Sequence, residues 1–218
     1  MEVTLLVNAA PLLLQALGQT LVLALITTLL ALVLGFLIAE ASMLGGRAVA
    51  FILRCVIEGI RGIPLLVFVF LIYYLLPRLG IFIDTFYAGC VALALFFATY
   101  VAEILRGALR TIPKVQIEAG KALGMRHWKI QLVVVMPQAV RIALPALMNL
   151  AAIVIKATSV VSIIGVWELT LATNEAVMRT LAPFTFFIAA LGMYFVLCYG
   201  TVRSAAYLSK RMNRSQRS

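Results

Sequence analysis

Apolar residues in this chain come in long blocks rather than in alternation, and a block of about 18 or more with almost no charge reads as a helix crossing a bilayer. The first block runs from Ala16 to Ala39, with Gln19 and Thr20 near its start. The second begins near Ala48 but carries Arg54, Glu58 and Arg61, leaving Ile63 to Leu76 as its uninterrupted part. Those 14 residues are too few for a hydrocarbon core of about 30 Å, so the expectation is a helix that extends back through its charged turns or thins the bilayer locally. Phe86 to Leu105 is long enough, although it contains Glu103. Ile142 to Ile164 is interrupted by Asn149, Lys156, Thr158 and Ser159, and Ala182 to Tyr207 forms the fifth block.

The connection between the third and fourth blocks, Arg106 to Pro145, has a different character. It holds seven of the 18 Lys and Arg (Arg106, Arg110, Lys114, Lys121, Arg126, Lys129 and Arg141), yet its apolar residues keep helical spacing. Pro113 suits a first turn and Gly124 a stop, which predicts a short helix from Lys114 to Leu123, roughly 15 Å long, with Val115, Ala119, Ala122 and Leu123 on one face. A second amphipathic piece runs from Arg126 to Val135 and is expected to end at Pro137. Gly120 in mid-helix costs about 1 kcal/mol relative to Ala, which makes sense chiefly if another body approaches the backbone there. Glu118 either pairs across such a joint or neutralises Lys114 or Lys121 on its own helix.

Composition places the chain among membrane proteins: 64% of its 218 residues are hydrophobic and 12% are charged. The expected fold is an all-α membrane protein, one domain spanning 1–218, with five transmembrane helices. A net charge of +10 does not indicate nucleic acid, because the basic residues flank apolar spans and form no basic and aromatic stripe. Cys55, Cys90 and Cys198 sit singly in or beside apolar stretches, as small hydrophobes do. Met1 to Ala39 lacks Lys and Arg and has no cleavage-site pattern, so its apolar run is expected to be retained as a span. With the N-terminus outside and the C-terminus in the cytoplasm, 15 of the 18 cationic residues fall on the cytoplasmic side, including the basic tail Lys210, Arg211, Arg214 and Arg217. Val166 to Pro183 then lies outside, where Trp167 and Glu168 read equally as an interfacial anchor or as a contact for a delivery protein.

Ionisable groups at membrane depth cost at least a few kcal/mol, so each is a candidate for function. Lys156 lies 15 residues beyond Arg141, roughly 22 Å along a straight helix. Thr158 and Ser159 follow it; they can bond backbone or line water, and a helix broken at this point would border a transport path. Glu103 and Glu58 either pair with Arg106 and Arg61 at i+3 or contact a ligand, and an acidic site for a cationic solute is equally conceivable. The chain has no G-x-x-x-x-G-K-[ST] phosphate loop, one histidine (His127, beside Trp128) and no H-E-x-x-H, so neither nucleotide hydrolysis by that route nor metal-dependent or triad catalysis finds support.

Glu118-Ala119-Gly120, then three residues to Gly124, then nine to Val134-Val135-Met136-Pro137, resembles the EAA loop of the permeases of binding-protein-dependent ABC importers. Gly120, Val134 and Met136 replace the family's second Ala, Ile and Leu. A narrower resemblance, to the polar amino acid (histidine, arginine and glutamine) uptake subfamily, covers about Ala48 to Leu169. It rests on Glu58-x-x-Arg61-Gly62-x-Pro64, Tyr100-x-x-Glu103-x-x-Arg106-Gly107, Pro113-Lys114-x-Gln116-x-Glu118-Ala119, Pro137-Gln138-Ala139-x-Arg141, Pro145 and Lys156-x-Thr158-Ser159. Val115 stands where the subfamily usually has Gly, and Ala157 where it has an acid, which removes a local partner for Lys156.

The resemblance implies a multi-pass subunit of a bacterial inner membrane, with a cytoplasmic coupling loop at 106–141 between helices 3 and 4. Glu118, Ala119, Gly120 and Gly124 would dock in a groove of a cytoplasmic ATPase, and Lys156, Thr158, Ser159, Glu103, Glu58 and Tyr100 would border the substrate path. The implied partners are that ATPase, a second permease subunit of the same or a related chain, an external solute-binding protein and lipid. The chain itself would hold no cofactor, ATP and Mg residing on the ATPase. The alternatives are an importer for a methionine-type or opine-type solute, and a membrane-embedded enzyme using Glu58 or Glu103 as acid or base.

Overall fold

The structure, a computed structural model, describes residues 2–214. Among the described residues the chain is helical throughout: α1 (Glu2–Leu44), α2 (Gly46–Arg61), α3 (Leu65–Arg78), α4 (Thr85–Arg110), α5 (Lys114–Ala122), α6 (His127–Ile130), α7 (Met136–Ala157), α8 (Leu169–Thr180) and α9 (Pro183–Arg214). Four segments are long and apolar enough to cross a membrane: Thr4–Leu44, Thr85–Arg110, His127–Ile164 and Pro183–Ser204. The pair α2 and α3 counts as a fifth only with its bend of 107°. Of the basic tail, Arg217 lies outside the described residues.

That bend interrupts the second apolar block, for which a helix extended back through its charged turns or a locally thinned bilayer is the expectation. Pro64 has no N–H to continue α2 and pushes Ile63 out of the helical region, so the chain turns through Gly62–Pro64 and restarts as α3, 14 residues or about 21 Å long. Pro137 has the opposite outcome. It was expected to end a helix, yet α6 continues into α7 through a π-helical turn at Gln131–Val135. The wider turn accommodates a ring that would otherwise strike the carbonyl one turn back. α1 is also longer than its apolar block: 43 residues, about 65 Å.

α4 is the central element and is buried along most of its length. Asp84 caps it, its carboxylate accepting from the Phe86 N–H at 2.8 Å. Lipid tails offer no hydrophobic drive between helices, so close backbone approach has to supply the attraction. α1 provides it with small residues one turn apart, Ala31, Gly35 and Ala39, all buried against α4. A methyl group at Gly35 would lie 2.5 Å from Val101 Cβ and 2.7 Å from the Ala98 carbonyl oxygen. The N-terminal part of α1 packs separately, Leu13 and Ala16 meeting Leu169, Ala172 and Ala176 of α8 and Phe186 of α9. Gly35→Val should therefore force α1 off α4, at a cost of about 1–3 kcal/mol. A melting temperature in detergent lowered by several degrees is the expected reading, and an unchanged one would contradict this packing.

Candidate functional site

α5 is a short helix mounted on its own chain. It starts after Pro113 and ends in a Schellman turn, with Gly124 at φ +70°, Gly124 N–H donating to Lys121 O at 2.9 Å and Met125 N–H to Gly120 O at 3.0 Å. Gly120 is buried because Ile130 of α6, itself 0% exposed, lies over it; a methyl group there would sit 2.8 Å from Ile130 Cγ1. The body that approaches the backbone at Gly120 is thus this chain's own Ile130. A second tie holds α5 to α7: the Gln138 amide donates both to Gln116 Oε1 and to the Val134 carbonyl. The opposite face is bare, with Val115 65% and Leu123 81% exposed and Glu118, Ala119 and Ala122 exposed beside them. Among the described residues Glu118 makes no ion pair with Lys114 or Lys121.

At the end of α7 the helix changes hand-hold. From Thr158 to Ile164 it tightens into a 3₁₀ helix that stops at Gly165, whose φ is +85°. Both hydroxyls after Lys156 bond local backbone: Thr158 Oγ1 donates to Ile155 O at 2.8 Å and Ser159 Oγ to Lys156 O at 2.7 Å. Lys156 is exposed and forms no ion pair among the described residues.

The other membrane charges do not gather around Lys156. Glu103 pairs with Arg106 as expected and also lies 4.0 Å from Arg61, whose guanidinium sits 4.7 Å from the centroid of the Tyr100 ring. Glu58 differs from expectation, pairing with Arg54 at 3.7 Å instead of Arg61. Arg61, the last residue of α2, reaches Glu103 and Tyr100 of α4 instead, while Glu58 pairs with the arginine one turn before it.

Residues 31–214 match the family described as binding-protein-dependent transport system inner membrane component. The chain belongs to this family of permeases. The permease is 32% identical over 205 residues to the L-cystine transport system permease protein TcyB of Bacillus subtilis (strain 168), covering 94% of this chain and 88% of TcyB. It is 34% identical over 209 residues to the nopaline transport system permease protein NocM of Agrobacterium fabrum (strain C58 / ATCC 33970), covering 91% and 87%. A chain in the crystal structure of an amino acid ABC transporter with histidines superposes on the permease with a TM-score of 0.86 at 33% identity, covering 94% of this chain and 96% of that one. The family is one of transport subunits, and the permease is a multi-pass membrane protein.

A further polar centre of the permease is built on Glu168. Glu168, expected to sit at headgroup level, is 0% exposed and caps α8, its Oε1 accepting from the Leu171 N–H at 2.9 Å. Its Oε2 accepts from the Tyr194 hydroxyl of α9 at 2.7 Å, and that hydroxyl lies 2.9 Å from Thr170 Oγ1. Thr20 of α1 accepts from the Leu169 N–H at 3.0 Å, so one buried cluster joins α1, α8 and α9. The one local signal was an acid directly before a helical run, a capping pattern; Thr20 and Tyr194 are too distant in sequence to be read as its neighbours.

Gly120→Val should destabilise the α5 mounting by about 1–3 kcal/mol and expose α5 to limited proteolysis, and Ile130→Ala added to it should restore protection; no rescue would mean the two do not meet. Burial pushes the Glu168 carboxyl above its usual range, opposed by hydrogen bonds from Thr170, Tyr194 and Leu171. A carboxyl raised on folding adds stability that is complete below its unfolded pKa of about 4.3 and is lost as pH rises through the folded value. Glu168→Gln cannot titrate, so the melting temperature of the wild type minus that of the variant should fall as pH rises from about 4. A constant difference would contradict the raised carboxyl.

Proposed function

We propose that this chain is the membrane-spanning permease of an ATP-driven importer of polar amino acids in a bacterial inner membrane. The observation that carries the reading is α5: a helix fastened to its own bundle by Gly120 on Ile130 and by Gln116 on Gln138, and presenting an apolar, partnerless face of Val115, Ala119, Ala122 and Leu123. An exposed apolar knob on a rigid mount suits a groove in a separate cytoplasmic ATPase, which would hold the ATP and Mg, while Glu118 remains free to pair across the joint. Gly124 gives the knob its sharp end. Closure of two ATPases around ATP would draw two such knobs together, and because α5 is tied to α7 the movement would pass into the bundle.

Two copies of this chain, or this chain and a related one, would enclose the path, with an external binding protein delivering the amino acid. Lys156, exposed where α7 tightens into the 3₁₀ helix, is the charged group this chain offers to that path together with Ser159; Thr158, expected beside them, is 0% exposed and its hydroxyl is spent on the Ile155 carbonyl. The Tyr100, Glu103 and Arg61 cluster and the Glu58 pair lie apart from it and suit a structural role at the bend after α2. An opine-type solute is the second reading, favoured by the likeness to NocM, whose name carries nopaline.

Uptake by proteoliposomes holding the permease and its ATPase, supplied with binding protein and a panel of amino acids, tests the function. Leu123→Asp should insert and fold normally because its side chain is exposed, yet lose the ATPase on purification and lower uptake about tenfold or more. Normal co-purification of the variant would remove α5 as the joint. A wild-type complex that hydrolyses ATP and moves no amino acid would end the importer reading.

A further inference from the structure

α2 is an unusual helix for its surroundings. On a helical wheel Arg47, Arg54, Glu58 and Arg61 fall within one narrow stripe, and the rest of the circumference is apolar or small. Phe51 and Ile52 are 67% and 60% exposed, so this part of the apolar surface finds no cover among the described residues, whereas Ile57 is buried. The 107° bend into α3 turns α2 away from the direction of the short apolar helix that follows. A charged stripe, exposed apolar residues and a sharp turn before the short apolar helix α3 are the marks of a helix lying in the plane of a membrane surface.

Against this helix lies a cavity of about 450 Å³ between the end of α1, α2 and the end of α4. Its lining brings together four arginines, Arg47 and Arg54 from α2 and Arg106 and Arg110 from α4, with Met43 and Phe51 on its apolar side. The carboxylates nearby are already engaged on two of them, Glu58 on Arg54 and Glu103 on Arg106. Among the described residues Arg47 and Arg110 pair with no carboxylate, and Glu40, three residues before Met43, pairs with none of the four. Guanidinium groups match phosphate oxygens in planar, bidentate fashion, and basic pockets between helices at a membrane surface take anionic headgroups.

We propose that this cavity binds the headgroup of an anionic phospholipid, Arg47 and Arg110 holding its phosphate and the acyl chains running over Phe51 and Ile52. The occupant is a lipid and not a soluble phosphate because the cavity opens onto an apolar, exposed helix face that a soluble anion would leave bare. α4 ends at Arg110 and α5 begins at Lys114, so the site stands at the root of the proposed coupling helix. Its placement in the cytoplasmic leaflet rests on the importer reading; the binding chemistry does not.

The test uses the full complex with its ATPase, stripped of lipid in neutral detergent and titrated with phosphatidylglycerol or phosphatidylcholine under native mass spectrometry. Phosphatidylglycerol should bind the wild type at least tenfold more tightly than phosphatidylcholine, and Arg47→Gln/Arg110→Gln should remove roughly tenfold of that affinity. Inorganic phosphate at the same concentration should not displace the lipid. Equal binding of the two lipids to the wild type overturns the proposal whether or not the double variant folds. So does unchanged phosphatidylglycerol affinity in a folded double variant, or full displacement by inorganic phosphate. Because the readout is lipid mass and not uptake, a complex that keeps its lipid but moves no amino acid upholds this site and sinks the importer reading alone.

Discussion

The close crossing of α1 and α4 is the constraint on which the bundle depends. In a bilayer an exposed Leu loses little by facing lipid, so burial of large apolar groups cannot choose one helix arrangement over another. Contact between backbones can, and it requires the absence of side chains: Gly35 lies where a single methyl would enter Val101 and the Ala98 carbonyl. Once α1 is seated there, α4 becomes the buried axis. α3, α7 and the 3₁₀ segment after Thr158 then pack around it in one continuous core.

The same economy governs α5. Its glycine is filled by Ile130 from the next helix, and its one internal amide contact, Gln116 with Gln138, reaches past α6 to α7. Packing on one side leaves the other side bare, and that bare side carries apolar residues that a free helix would have no reason to expose. Rigidity on the inner face and stickiness on the outer face are what a force-bearing joint requires. The π-helical turn between α6 and α7 lets Pro137 stay within a continuous element, so α5 is linked to a span without an intervening flexible loop.

The hydroxyls that follow Lys156 are satisfied close to home. Thr158, Ser159 and Ser162 spend their hydroxyls on carbonyls three residues back, which is how a 3₁₀ segment with apolar surroundings keeps its backbone covered. The centre at α8 reaches further: the Glu168 carboxyl accepts from the Leu171 N–H of α8 and the Tyr194 hydroxyl of α9, while Thr20 of α1 accepts from the neighbouring Leu169 N–H, so α8 is tied to both α1 and α9. Thr20 stands 149 residues from Leu169 and Tyr194 stands 26 from Glu168, and no periodicity links them.

Four of the five apolar blocks were legible as spans from composition, because a long apolar block has few alternatives in a chain with 12% charge. So were the extent of α5, its outward face and its glycine stop, since caps and helical spacing are local properties, and the ordered spacing from Glu118 to Pro137 pointed to the family. What proline would do was not legible: Pro64 breaks its segment by 107° while Pro137 is absorbed after a π-helical turn. The partner of Gly120, the choice of Arg54 over Arg61 by Glu58, and the convergence of four arginines on one cavity belong likewise to the tertiary structure. Sequence alone determined which segments seek lipid and where helices start and stop. Distances between segments far apart in the chain were decided by packing, because a gap of a few ångströms between helices depends on every side chain that lines it.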